Sequence, residues 1–199
     1  MKNFILFLLV LGVSVFTPKK GYGQEYVIQT AEDLPDDDLT DNIWQPKSLR
    51  AAIENINKNK VPAKINCSLF EYKTLKINSS LHVINVRVEF DAKGMVLEPS
   101  ATSTATYGLW FTGNNSILKN IKIRGFNGIG LVWQASDGLI ANSVFSNNNG
   151  PGINMNNAHR NRIGDTTIGY YNILLYGNKR TGGSGLAMIK CNNNIIQYC

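Results

Sequence analysis

From residue 107 onward the chain repeats itself. Asn115-Ser116-Ile117-Leu118-Lys119-Asn120 aligns with Asp137-Gly138-Leu139-Ile140-Ala141-Asn142 at an offset of 22 residues, and Gly128-Ile129-Gly130 maps onto Gly150-Pro151-Gly152 at the same offset. Ile163 then follows Ile140 by 23 residues and Ile195 follows Ile163 by 32, the longer step implying an inserted loop near residues 169–183. A short period made of apolar runs, with no helix between them, leaves few architectures. Leucine-rich repeats have similar lengths but need a fixed leucine ladder, and here Ile, Val and Gly fill the strand positions. A parallel β-helix fits better: each repeat makes one coil of two or three strands and bonds to the coils above and below. Leu118, Ile121, Ile123, Leu131, Ile140, Val144 and Ile153 suit the inward ladders. Asn147-Asn148-Asn149, Asn156-Asn157 and Asn192-Asn193-Asn194 suit corners, where the backbone turns left-handed.

The segment before the repeat is less regular. Runs at 65–69, 74–77, 83–90 and 95–97 read as short strands parted by turn residues, and His82, inside the apolar run Leu81–Val88, reads as a strand residue rather than a ligand. One stretch has a different period: Leu49, Ala52, Ile53 and Ile56 recur at helical spacing, with Pro46 before them and Ser48 placed to cap. Residues 48–58 are therefore expected to form a short amphipathic helix. The predicted fold class is all-β, a parallel β-helix of about 22 residues per coil with a short N-terminal capping α-helix. The expected layout is a signal peptide at 1–23, a strand, acidic loop and capping helix at 24–60, and coils at 61–199.

The leader reading rests on Met1-Lys2-Asn3, an apolar run over 4–16, and Gly21-Tyr22-Gly23 as a small-x-small cleavage site. Pro18, Lys19 and Lys20 stop the run short of the roughly 20 residues a membrane span needs. The chain is expected to be exported, secreted or held at the cell surface, with the periplasm as the other compartment, and to have no transmembrane segment after the leader. Its 199 residues carry a formal charge of +6, are only 17% charged and are 43% hydrophobic, which excludes a disordered chain and a long charged helix. Part of that charge is the leader's own lysines. Arg160/Arg162 and Lys179/Arg180 are isolated pairs without interleaved aromatics, so nucleic acid is not an expected partner.

Candidate chemistry is sparse. Asp36, Asp37 and Asp38 are adjacent carboxylates that can recruit calcium or form a solvated loop; no other cofactor is expected. Cys67, Cys191 and Cys199 fit no metal-site spacing, and either Cys191 pairs with Cys199 or all three are small core residues. In the coils the carboxylates are Asp137 and Asp165, weak catalytic candidates whose separation of 28 does not match one coil. Trp110, Trp133, Tyr170, Tyr171 and Tyr176 can stack on sugar rings if exposed. Trp133, Tyr170 and Tyr171 are the ligand-binding candidates.

Two motifs carry a resemblance. Ser48-Leu49-Arg50-Ala51-Ala52-Ile53 is similar to the "Cys-Ser-Leu-Arg-Glu-Ala-Ile" helix that opens many exported bacterial right-handed parallel β-helix proteins of the pectin-lyase-like superfamily, with Lys47 and Ala51 in place of the Cys and Glu. Asn161-x-Ile163-Gly164, then Gly169, Asn172 and Gly177-Asn178, resembles their "Asn-x-Ile-Gly-Gly…Gly-x-x-Asn-Val-Ile-x-Gly-Asn" repeat, with Asp165 replacing a Gly. The resemblance implies right-handed coils and a superfamily of lyases, hydrolases, epimerases, adhesins and surface proteins. The expected function is a structural, adhesive or carbohydrate-binding surface module acting on polysaccharide or cell-surface glycan, more a binder than an enzyme. The alternative is the front part of a polysaccharide lyase or glycoside hydrolase. The apolar end at Ile195-Ile196-Gln197-Tyr198-Cys199 leads to a further expectation, that more coils or a C-terminal anchoring domain follow in a longer protein.

Overall fold

The computed structural model describes residues 23–41, 43–71, 73–164, 173–176, 178 and 184–197. The first strands are β1 (Gln24–Val27), β2 (Ala63–Asn66), β3 (Thr74–Ile77), β4 (Val88–Asp91), β5 (Val96–Pro99), β6 (Tyr107–Phe111), β7 (Ile117–Lys119) and β8 (Lys122–Arg124). They are followed by β9 (Ile129–Trp133), β10 (Leu139–Ala141), β11 (Ser143–Ser146), β12 (Ile153–Asn156), β13 (Arg162–Ile163), β14 (Ile173–Tyr176), β15 (Leu186–Ile189) and β16 (Ile195–Ile196). A helix, α1 (Leu49–Asn59), lies between β1 and β2. The fold is all-β with three parallel sheets.

The chain visits the three sheets in rotation. The first sheet has the order β1-β2-β4-β7-β10-β13-β16, the second β14-β11-β8-β5-β3 and the third β15-β12-β9-β6. From β4 to β16 each strand enters the next sheet in turn, so every third strand pairs in parallel with its predecessor in the same sheet. The pairing register reproduces the repeat: Leu118 faces Ile140, and Leu131 faces Ile153, both 22 residues apart. It then stretches, with Ile140 opposite Ile163, Ser143 opposite Ile173 and Ile153 opposite Leu186, separations of 23, 30 and 33. Ile195 pairs with Arg162 rather than with Ile163, whose partner is Ile196, so the expected alignment is corrected by one residue.

This winding stacks like side chains in the interior. One file runs Tyr26, Ile65, Phe90, Leu118, Ile140, Ile163, Ile196, and all but the last are buried. A second runs Leu75, Leu97, Ile123, Phe145, Leu175 along the second sheet. Val144, expected inside, points outward, and Phe145 takes the inward place at 0% exposure. The alternation of a strand allows only one of two neighbours to face the core, and burying the phenyl ring removes more apolar surface from water. The 83–90 run is strand only over Val88–Asp91, with Ile84 making a lone bridge to Phe111. His82 lies outside any strand, with its exposed ring 3.3 Å from the Glu54 carboxylate.

α1 packs its apolar face into the same core. Ser48 caps it, accepting from the Ala51 N–H at 3.0 Å. Leu49, Ala52, Ile53 and Ile56 face the core. Its polar side chains bond the backbone edge beneath: Arg50 donates to the Ser79 and Ser80 carbonyls, and Asn57 donates to Val83 O and accepts from Asn85 N–H. Arg50 also forms a two-pronged ion pair with Asp33 at 2.8 and 2.9 Å, and Asp33 accepts from the Asn78 N–H. The Ser-Leu-Arg motif thus has three separate jobs: cap, core contact and anchor for the acidic loop.

Candidate functional site

The corners between the first and second sheets are tight, and the residues that make them are left-handed: Lys93, Asn120 and Asn142 have φ of 52°, 59° and 44°. Asn tolerates this region because its short polar side chain bonds locally. Here the side chains bond from circuit to circuit. Asn142 Nδ2 donates to Asn120 Oδ1 at 2.5 Å, and Asn120 Nδ2 donates to Asp91 Oδ1 at 2.7 Å. Lys93 Nζ lies 2.9 Å and Lys119 Nζ 3.7 Å from Asp91 Oδ2. Partial burial works against the Asp91 charge, yet the bonds from Asn120 and Lys93 and the nearby Lys119 outweigh it and hold the carboxyl below the usual range.

This rung borders an outward recess of about 600 Å³ lined by Glu71, Lys93, Asn120, Lys122, Asn142 and Val144, among others. Lys122 projects from the outer face of β8 between Val96 and Val144 of the adjoining strands. Amide groups, two ammonium groups, the Glu71 carboxylate and an apolar isopropyl face line one open cleft. Such a surface can donate hydrogen bonds to hydroxyl, ether or carboxylate oxygens while packing against C–H faces. Elsewhere the outer strand faces are occupied by ion pairs between circuits, Glu89 with Lys64 and Lys119, and Glu98 with Lys76 and Arg124.

The residues singled out from sequence are scattered. Trp133 is corrected: it is fully buried, its ring 4.9 Å from Phe111 and its Nε1 donating to Asn161 Oδ1 at 3.0 Å, so it offers no face to a ligand. The third sheet turns this position inward, in register with Phe111 and Met155. Asp137 sits at an exposed corner with φ 59° and is bound through both oxygens by Arg160 of the next circuit, at 2.7 Å each. Those bonds hold its carboxyl below the usual range, which suits a fixed charge rather than a proton donor. Asp165, Tyr170, Tyr171 and Cys199 lie outside the described residues, as do residues 1–22 of the signal peptide expected at 1–23.

The three adjacent aspartates diverge. Asp36 turns inward, accepting from Asn55 Nδ2 at 3.1 Å, whereas Asp38 accepts from the Thr40 N–H and hydroxyl at 2.7 and 2.6 Å. Asp37 is exposed and contributes its N–H to Gln45 O. Among the described residues no group of three His, Cys, Asp or Glu side chains converges on a possible metal position. Cys67 is a free thiol in the core, pushed up to about 12 by burial and by Asp91, and Cys191 is a free, half-buried thiol.

Sequence reasoning passed over Lys93, Asn120, Lys122 and Asn142. The signal was present, since Asn120 and Asn142 close the two aligned hexapeptides; side chains at equivalent repeat positions stand one above the other, and two stacked amides form a rung as well as a turn. Tyr107, T-stacked with the half-buried Trp110 at 5.4 Å, was missed as a surface aromatic in the same way. Among the described residues no helix is long and apolar enough to cross a membrane. Comparison with protein-family models, with curated proteins and with solved structures yields no match, and the reading of function rests on the geometry above.

Proposed function

We propose that the chain is an exported right-handed parallel β-helix serving as a structural or adhesive module that binds polysaccharide or cell-surface glycan, without a catalytic role of its own. Right-handedness follows the strong preference of crossovers between parallel strands of one sheet. The observation that carries the binding reading is the recess beside the Asp91–Asn120–Asn142 rung, where Lys93 and Lys122 border stacked amides. Sugars present the complementary surface, hydroxyls at the ring edge and C–H groups on its faces. Carboxylates on the outer faces support binding over bond cleavage: Glu89, Asp91, Glu98 and Asp137 are each held by a cation, and Glu71, which lines the recess, adds an acceptor beside Lys93. General acid–base work needs a carboxyl with a raised pKa, and Asp91 and Asp137 are shifted the other way.

The test is a glycan array probed with the purified chain, followed by titration of the best binder against Lys122→Ala and Asn142→Ala. A binder whose affinity falls roughly tenfold in either variant, equivalent to about 1.4 kcal/mol, is the expected result. Absence of any glycan binder, or release of reducing or unsaturated ends from a polysaccharide, overturns the reading.

A further inference from the structure

Two Asn-Gly steps, Asn127-Gly128 and Asn149-Gly150, stand one above the other at the corner that leads into the third sheet. In an Asn-Gly step the glycine nitrogen can reach the preceding side-chain carbonyl carbon without hindrance from a Cβ. Ring closure then requires three things: a main-chain N–H free to act as nucleophile, an electrophilic Cγ, and an amide nitrogen free to leave.

The two steps differ on all three. At the upper step, Gly150 N–H is tied to Gly128 O at 2.6 Å, and Asn149 Nδ2 is tied to Asn127 Oδ1 at 2.7 Å. Nucleophile and leaving group are both engaged. At the lower step the same bond from Asn149 arrives at the carbonyl oxygen of Asn127, which is exposed as Asn149 is, and there it stabilises the negative charge that develops during attack on Cγ. Among the described residues neither Gly128 N–H nor Asn127 Nδ2 has a hydrogen-bond acceptor.

We propose that Asn127 is a modification site, converted through an intramolecular imide to aspartate and isoaspartate while its neighbour Asn149 is preserved. Gly128 N forms a bond to Asn127 Cγ, the Cγ–Nδ2 bond breaks, and the amide proton leaves with the departing nitrogen as ammonia. Water then opens the ring. Opening at Cγ gives aspartate on an unaltered main chain; opening at the main-chain carbonyl routes the backbone through the side chain as isoaspartate. No oxidant or further reactant is needed. The change places a negative charge in a recess of about 330 Å³ lined by Thr106, Tyr107, Asn127, Ile129 and Asn149, just before the bond from Ile129 N–H to Thr106 O that starts β9.

The experiment ages the full chain in mildly alkaline buffer, folded and in denaturant, and follows both steps by peptide mass mapping with isoaspartate detection. In denaturant both Asn-Gly steps are expected to convert at comparable rates. In the folded chain Asn127 is expected to gain the amide-to-acid mass increase several times faster than Asn149, and Asn127→Gln to abolish it. Equal rates in the folded chain, faster change at Asn149, or no change at Asn127 while both steps convert in denaturant would each overturn the assignment.

Discussion

The indole Nε1 of Trp133 donates to Oδ1 of Asn161 at 3.0 Å inside the fold, where Trp133 is 0% and Asn161 1% exposed. The same oxygen accepts from Gly138 N–H, and Asn161 Nδ2 donates to Ala135 O and to Asn194 Oδ1. One amide therefore joins three successive circuits. Asn161→Ala strands the indole N–H, the Gly138 N–H and the Ala135 carbonyl in the interior. A loss of roughly 2–4 kcal/mol is expected, read as a lowered midpoint in urea unfolding.

Gly130 occupies a place where the circuits approach with no room for a side chain. A Cβ there would stand 2.5 Å from Gly152 O and 2.8 Å from Asn148 Nδ2. Gly130→Ala must push the circuits apart, at a cost of about 1–3 kcal/mol. Thermal unfolding of Gly130→Ala beside the unaltered chain reads that cost.

Arg50 and Asp33 are nearly sealed from water, with side chains 9% and 2% exposed. Arg50→Met leaves the Asp33 carboxylate buried with only the Asn78 N–H as a donor. The expected destabilisation is about 3–5 kcal/mol, most of it recovered when Asp33→Asn is added, because the second change removes the uncompensated charge. A double-mutant cycle in denaturant checks both parts.

Asp91 ties stability to acid pH. Its carboxyl is held below the ordinary aspartate value, so in the acid range the unfolded chain binds the proton more readily than the folded one. The stabilisation is fully present above the ordinary value of about 4 and is lost as pH falls from there through the lower folded value. Asp91→Asn keeps an acceptor for Asn120 and removes the charge. Its unfolding midpoint should lose part of the dependence on pH below about 4, whereas an unchanged acid limb would exclude Asp91 as the source.

The offset of 22 between the aligned segments was enough to place Leu118 on Ile140 and Leu131 on Ile153, because corner residues recur at fixed intervals and parallel pairing copies that interval into register. The helix was legible too, through its cap and its apolar spacing. What escaped was the direction of individual side chains. Val144 and Phe145 are both apolar, so local pattern does not say which points inward, and Trp133 looked available only because an aromatic can serve core or surface. The Asn120–Asn142 rung was hidden for a different reason: the residue type that makes a left-handed corner is the one that makes an amide ladder.

Successive circuits stack at one strand spacing along a single file, however far apart they lie in sequence. Glu25, Lys64, Glu89, Ile117, Leu139 and Arg162 follow one another in register across the first sheet. Neighbours in such a file are about 4.8 Å apart, which puts Arg162 about 24 Å from Glu25. The direct measurement is a set of spin-label distances from position 25 to 89, 117, 139 and 162, in a chain whose native cysteines are replaced by alanine. Four distances rising in even steps of about 4.8 Å in that order are expected. Distances that do not rise in that order, or that step unevenly, would contradict it.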